Sequence, residues 1–112
     1  MKLMIAGSRS IKEFDLKQYV PKEADVIITG GANGVDTIAE KFADDNKISK
    51  LVIRPDYSRY KRAAPLKRNE VMIDLSDKVL IIWDGKSKGS EYAIKYAQKR
   101  GKQLQIVNLA EK

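Results

Sequence analysis

The sequence predicts an α/β fold, a three-layer domain built on a five-stranded parallel sheet. Three observations carry that expectation. Short, continuous apolar runs alternate with segments of helical period along the whole chain. The apolar runs lack the polar alternation of a strand with one wet face, as strands buried on both faces should. At 112 residues the chain is the size of one domain, since domains run to roughly 100–200 residues. With 43% apolar and 33% charged residues it is apolar enough to fold. We find no repeat, linker or low-complexity segment, so residues 1–112 read as a single domain.

The elements follow in order. Lys2–Ala6 is an apolar run ended by Gly7-Ser8. A helix is expected over 12–20, stopping before Pro21, because the residue before proline avoids the helical region. Val26-Ile27-Ile28 is β-branched and is broken by Gly30-Gly31. Val35, Ile38, Ala39, Phe42 and Ala43 repeat at i, i+3, i+4, i+7 and i+8, the pattern of an amphipathic helix. Leu51-Val52-Ile53 is a third strand, cut by Pro55. A helix is expected from near Pro65, which suits a first-turn position, to about Leu75. Val79–Trp83 is the fourth strand. Residues 90–100 place Ala93, Ile94 and Ala97 on one helical face, closed by Gly101. Leu104–Leu109 is the fifth strand.

Composition narrows the chemistry. The chain has no cysteine and no histidine. Disulfides, thiol or imidazole catalysis and Cys or His metal ligands are therefore excluded, and no metal or cofactor is expected. No apolar run approaches the ~18 residues of a membrane span. Met1–Ala6 is too short for the apolar region of a signal peptide, so the expectation is a cytoplasmic protein with no membrane partner. The net charge of +7 is unevenly placed. Residues 1–53 carry 8 basic and 8 acidic side chains, whereas 54–68 carry six basic ones against Asp56 alone. Residues 86–103 carry six against Glu91 alone. Such clusters favour anionic partners.

The loops supply the functional signal. Those entering strands are plain. Those leaving strands are Gly7-Ser8-Arg9-Ser10, Gly30-Gly31-Ala32-Asn33-Gly34, Pro55–Ala64 and Asp84-Gly85-Lys86-Ser87-Lys88-Gly89-Ser90. Glycines, hydroxyls and cations thus collect at the carboxyl edge, where open α/β sheets bind ligands. A strand order of 3-2-1-4-5 would set Arg9 opposite the Asp84–Ser90 loop. Two of these loops open helices, and a helix N-terminus offers free N–H groups to a phosphate. Neither is a G-x-G-x-x-G or P-loop motif. Asp36 either favours its helix dipole or accepts a sugar hydroxyl. Trp83 and Tyr92 are candidates for stacking on a base. Arg68 offers a fork to a phosphate, and Asn69, on the buried side of its helix, needs a partner. The candidate binding residues are Gly7, Ser8, Arg9, Gly30, Gly31, Gly34, Asp36, Arg68, Asn69, Asp84, Gly85, Ser87, Gly89 and Ser90.

Four of these segments, taken in order, resemble the small stand-alone YspA-like branch of the SLOG superfamily, named for its SMF/DprA and LOG members. They are Ala6-Gly7-Ser8-Arg9; Gly30-Gly31-Ala32-x-Gly34-Val35-Asp36; Arg68-Asn69-x-x-Met72 with Asp77; and Trp83-Asp84-Gly85-x-Ser87-x-Gly89-Ser90. The resemblance implies a Rossmann-like fold that binds nucleotides or nucleotide-derived molecules, of which an ADP-ribose- or NAD-like signal is one candidate. LOG-type members are nucleotide hydrolases that use an arginine, matched by Arg68, and a glutamate. The glutamate's position is Ala93 here, and Glu91 lies about 200° round the helix from it. The resemblance therefore implies sensing or sequestering a ligand more directly than hydrolysis, for which Arg68, Asp36 and Glu91 are the candidate groups. DprA-like members bind single-stranded nucleic acid, which the 54–68 cluster with Tyr57 and Tyr60 also suits. A homodimer is implied by the LOG analogy alone.

Overall fold

Parallel strands force a crossover after each strand, so both faces of the sheet end up covered. The computed structural model, which describes residues 1–110, has this form. The strands are β1 (Lys2–Gly7), β2 (Val26–Thr29), β3 (Ser49–Val52), β4 (Lys78–Trp83) and β5 (Gln103–Asn108). All pairings are parallel and the order is β3-β2-β1-β4-β5. Three longer helices connect them: α1 (Val35–Asp45), α3 (Ala64–Leu75) and α4 (Lys88–Lys99). A single turn, α2 (Tyr57–Tyr60), and a 3-10 turn over Lys61–Ala63 precede α3.

The central strands alternate between the two layers. Leu3, Ile5, Ile27, Leu80 and Ile82 face α1, packing on Val35, Ala39 and Ala43. Met4, Ala6, Ile28, Val79 and Ile81 face α3 and α4, packing on Met72, Ile73, Ala93, Ile94 and Ala97. The connections after β1 and β4 leave on opposite faces, which opens a crevice at the carboxyl ends of those two strands. That crevice positions the candidate site.

Two expectations differ from the structure. Residues 12–20 form no helix. The Asp15 carboxylate accepts the Lys17 N–H at 3.0 Å, and the Leu16 carbonyl collects the N–H groups of Tyr19 and Val20 at 2.9 and 3.1 Å. These local turns outcompete a helix, as short polar side chains can. The segment still buries Ile11 and Leu16 on the α1 face. The 54–68 segment reads as loop in the sequence but contains α2, started by the Asp56 side chain accepting the Arg59 N–H.

Asp77, although part of a motif, sits at the amino edge of the sheet, away from the crevice. Its Oδ2 accepts the Lys2 N–H at 2.8 Å and its own N–H donates to the Lys2 carbonyl at 2.8 Å. Asp77 thus aligns the start of β1 with β4. Asp77→Ala should cost about 1 kcal/mol in urea unfolding, the net worth of one such hydrogen bond.

Candidate functional site

Ser8 is 1% exposed and joins the loops that leave β1 and β4. Its N–H donates to the Ile82 carbonyl at 3.1 Å. Its hydroxyl accepts the Asp84 N–H at 2.9 Å and bonds the Ser87 hydroxyl at 2.9 Å. The Ser87 hydroxyl in turn donates to Ser90 at 3.0 Å. The Ser8 carbonyl accepts from Val35, the first residue of α1, at 3.4 Å. Backbone approaches this close leave no room for side chains. A Cβ at Gly7 would stand 2.1 Å from the Ile82 carbonyl oxygen, and one at Gly34, where φ is +78°, 2.4 Å from the Ser8 carbonyl oxygen.

Around this knot lies a cleft of about 390 Å³, within the size range of small-molecule sites. Of the residues singled out from sequence, Gly7, Ser8, Arg9, Asp36, Arg68, Asn69, Asp84, Ser87, Gly89 and Ser90 line it. Gly30, Gly31, Gly34 and Gly85 do not. Gly30 and Gly31 lie behind the arginines Arg68 and Arg54, Gly34 packs under Arg9, and Gly85 turns toward Asn108 and Ala110. Ser10, Ala32, Pro65 and Leu66 also line the cleft. Pro65 and Leu66 carry no chemical signal in the sequence, since only the docking of α3 brings them to the rim.

Arg68 is 8% exposed. Its Nη1 donates to the Gly30 carbonyl at 2.6 Å and its Nε to Asn69 Oδ1 at 2.9 Å. Asn69 finds its partner there. Nη2 has no hydrogen bond among the described residues and remains available. Burial pulls the Arg68 pKa down, the Asp36 charge opposes that, and the charge of Arg9 adds to it. Arg9 is exposed and has no carboxylate within 4 Å among the described residues.

Of the two carboxylates at the cleft, Asp36 is buried and Asp84 is half-buried. Burial pushes the Asp36 carboxyl up, against the Ala32 N–H and the Arg68 charge. Its Oδ2 accepts the Ala32 N–H at 3.1 Å, while Oδ1 and the Thr29 hydroxyl are buried without hydrogen-bond partners. Asp84 Oδ1 accepts the N–H groups of Lys86 and Ser87, each at 2.8 Å, and Oδ2 accepts from Ser10 at 2.8 Å. These donors, led by the Ser87 and Lys86 N–H groups, hold the Asp84 carboxyl at about 2.

No side chain caps α1 or α4; the Ser8 carbonyl takes the Val35 N–H of α1, whereas Gly89 and Ser90 in the first turn of α4 line the cleft. Ala93 lines the cleft where the resemblance puts a catalytic glutamate. Glu91 does not line it; it lies in a side recess with Tyr92. Trp83 packs against the α3–α4 core and its indole N–H donates to the Ser87 carbonyl at 3.0 Å, so it buttresses the loop. Arg54 and Tyr60 line a further recess that meets the cleft at Arg68. Among the described residues, no group of three or more Asp or Glu side chains could hold a metal ion. No described helix is long and apolar enough to cross a membrane.

The Asp84 carboxyl sets an acid limit on the loop. A carboxyl with a depressed folded pKa adds stability above its ordinary value of 3.8, and that stability is lost as pH falls toward about 2. Asp84→Asn keeps an acceptor but removes the titration. Melting temperatures of the wild type and Asp84→Asn should therefore converge between pH 4 and pH 2. A constant difference across that window would show that the carboxylate charge does not hold the loop.

A family model described as the YspA, cpYpsA-related SLOG family matches residues 1–60. No curated protein and no solved structure matches the chain significantly. The matched segment contains the Gly7–Ser10 and Gly30–Asp36 stretches and runs over more than half of the 112 residues. By that match, and with its parallel five-stranded Rossmann-like sheet, the chain belongs to the YspA, cpYpsA-related SLOG family.

Proposed function

We propose that the cleft binds a nucleotide or nucleotide-derived ligand, in the manner of a module that senses or sequesters an ADP-ribose- or NAD-like molecule. Family membership supports nucleotide-related binding or processing in general terms. One observation carries the narrower reading. Arg9, Arg68 and the uncapped first turn of α4 line one cleft, and its Asp84 carboxylate is engaged by its own loop. Such an arrangement favours phosphate oxygens, through free N–H groups and charge-assisted forks.

Hydrolysis finds less support. Cleaving an N-glycosidic bond needs a carboxylate placed to activate water or to stabilise charge on the ribose. Ala93 can do neither, Asp84 is committed to its loop, and the free oxygen of Asp36 is buried. A single-stranded nucleic-acid reading rests on a different surface. Arg54, Arg59, Lys61 and Arg62 are exposed with no carboxylate within 4 Å among the described residues, beside the exposed Tyr57. A strand bound there would show steep salt dependence and tolerance of base sequence. A ligand in the cleft would saturate at one site. Native mass spectrometry of the protein purified from cells should detect a co-purifying nucleotide.

Arg68→Ala is a compromised probe, because it removes the brace to Gly30 along with the charge. Arg9→Ala is clean. It should weaken binding of a nucleoside monophosphate by about 1.5–3 kcal/mol, the worth of a hydrogen bond to a charged group, with the unfolding midpoint unchanged. Wild-type affinity in Arg9→Ala, by titration calorimetry, would remove Arg9 from the site.

Incubation with adenosine monophosphate and its N6-substituted analogues should release no free base at an enzymatic rate. Turnover near ~1 per second, within the ordinary enzyme range, would overturn the binding-module reading. Its loss in Asp36→Asn or Glu91→Gln would then identify the carboxylate.

A further inference from the structure

We propose that the recess walled by Tyr92 and Leu66, on the α4 side of the cleft, is the subsite for the ligand's planar base. Glu91 at its rim then favours a base that carries an exocyclic amino group. The proposal rests on the reading of the central cleft as a phosphate site.

The recess has a volume of about 270 Å³ and is lined by Leu66, Lys88, Gly89, Glu91, Tyr92 and Lys95. Leu66 and Gly89 also line the cleft, so the two spaces adjoin there. Gly89 stands at the junction. A Cβ built there meets no atom within 4 Å, and its φ is not in the left-handed region. Packing therefore does not demand glycine at 89, and the residue puts no side chain at the junction of the two spaces. Gly89 and Tyr92 are three residues apart on α4, about 4.5 Å along the axis. That rise is on the scale of one ribose between a phosphate at the helix start and a base on the tyrosine.

Tyr92 is held ready to stack. Its hydroxyl donates to the Glu70 carboxylate on α3. Its ring lies within 12° of parallel to Tyr96, with centroids 6.5 Å apart. An aromatic wall facing an aliphatic one suits any heteroaromatic ring, because every base has a π face. Glu91 is exposed, and among the described residues its carboxylate has neither a hydrogen-bond donor nor a cation within 4 Å. It is an open acceptor beside the stacking surface, and an exocyclic amine supplies the donor. Lys88 and Lys95 keep the recess net positive, so an anionic ligand is not repelled by that carboxylate.

The recess on the other side of Arg68 is less suited. Its Tyr60 ring already carries the Arg59 guanidinium, 5.3 Å from the centroid. Its carboxylates are occupied, Asp56 by Ser58 and the Arg59 N–H, Glu70 by Lys67 and Tyr92.

Ribose 5-phosphate, adenosine monophosphate and inosine monophosphate separate the contributions, measured by calorimetry at fixed ionic strength. Adenosine monophosphate should bind about tenfold more tightly than ribose 5-phosphate, as one stacked base warrants. Tyr92→Leu should erase that advantage, while Tyr92→Phe and Tyr60→Leu should retain it. Inosine monophosphate, which lacks the amine, should bind more weakly than adenosine monophosphate, and Glu91→Ala should abolish the difference. Ribose 5-phosphate binding as well as adenosine monophosphate would overturn this subsite alone. So would loss of the advantage in Tyr60→Leu instead of Tyr92→Leu. Failure of all three compounds to bind would overturn the reading of the cleft, and the subsite with it.

Discussion

The hydrogen bonds of Ser8 are the constraint on which the carboxyl edge of the sheet depends. β1 and β4 are neighbours, yet the chain leaves them toward opposite faces of the sheet. Nothing in the sheet ladder itself holds the two departing loops together. Ser8 does so with both backbone groups and its hydroxyl, taking in Ile82, Asp84, Ser87 and the first residue of α1. Each bond is worth only about 1 kcal/mol net, but a buried hydroxyl left unpaired would cost ~1–3 kcal/mol. The network is therefore satisfied as a unit or not at all. Gly7 and Gly34 follow from it, because the backbones it draws together stand closer than any Cβ allows.

Arg68 adds the electrostatic half of the design. It comes from α3 on one face of the sheet, and Asp36 from α1 on the other, and their charges meet above the strand ends. Burial disfavours both ionised forms, and each charge offsets part of the cost to the other. The guanidinium is held by Gly30 and Asn69 rather than by a bidentate carboxylate, which leaves one nitrogen open. A full fork-to-fork pair would have closed it. The two arginines of the cleft, Arg9 and Arg68, share it with two acids, of which Asp84 is bonded within its own loop and Asp36 is buried.

Most of the architecture was legible in short stretches of sequence. The continuous β-branched run Val26–Ile28 specifies a strand by its residue types, and the spacing of Val35, Ala39 and Ala43 specifies a helix by its 3.6 period, neither needing a distant partner. The 12–20 segment misled for the converse reason. Its Leu16 does bury, with Phe14 and Tyr19 half-buried beside it, but the Asp15 carboxylate captures the backbone. Asp77, a motif residue in a loop that enters a strand, serves the amino edge of the sheet.

The sequence by itself determined the strands, the longer helices, the absence of thiol and imidazole chemistry, and the collection of glycines, hydroxyls and cations after strands. These are properties of composition and local period. Only the tertiary structure decided which of those groups face the cleft. Gly85 turns away while Leu66, with no chemical signature, forms part of the wall. Glu91 leaves the cleft for the recess beside it, and Arg68 spends two of its donors on the protein. Those outcomes depend on the docking of α3 and α4 against the sheet. That docking is set by the burial of Met72, Ile73, Ala93 and Ile94 on strands far from them in sequence, which no local pattern encodes.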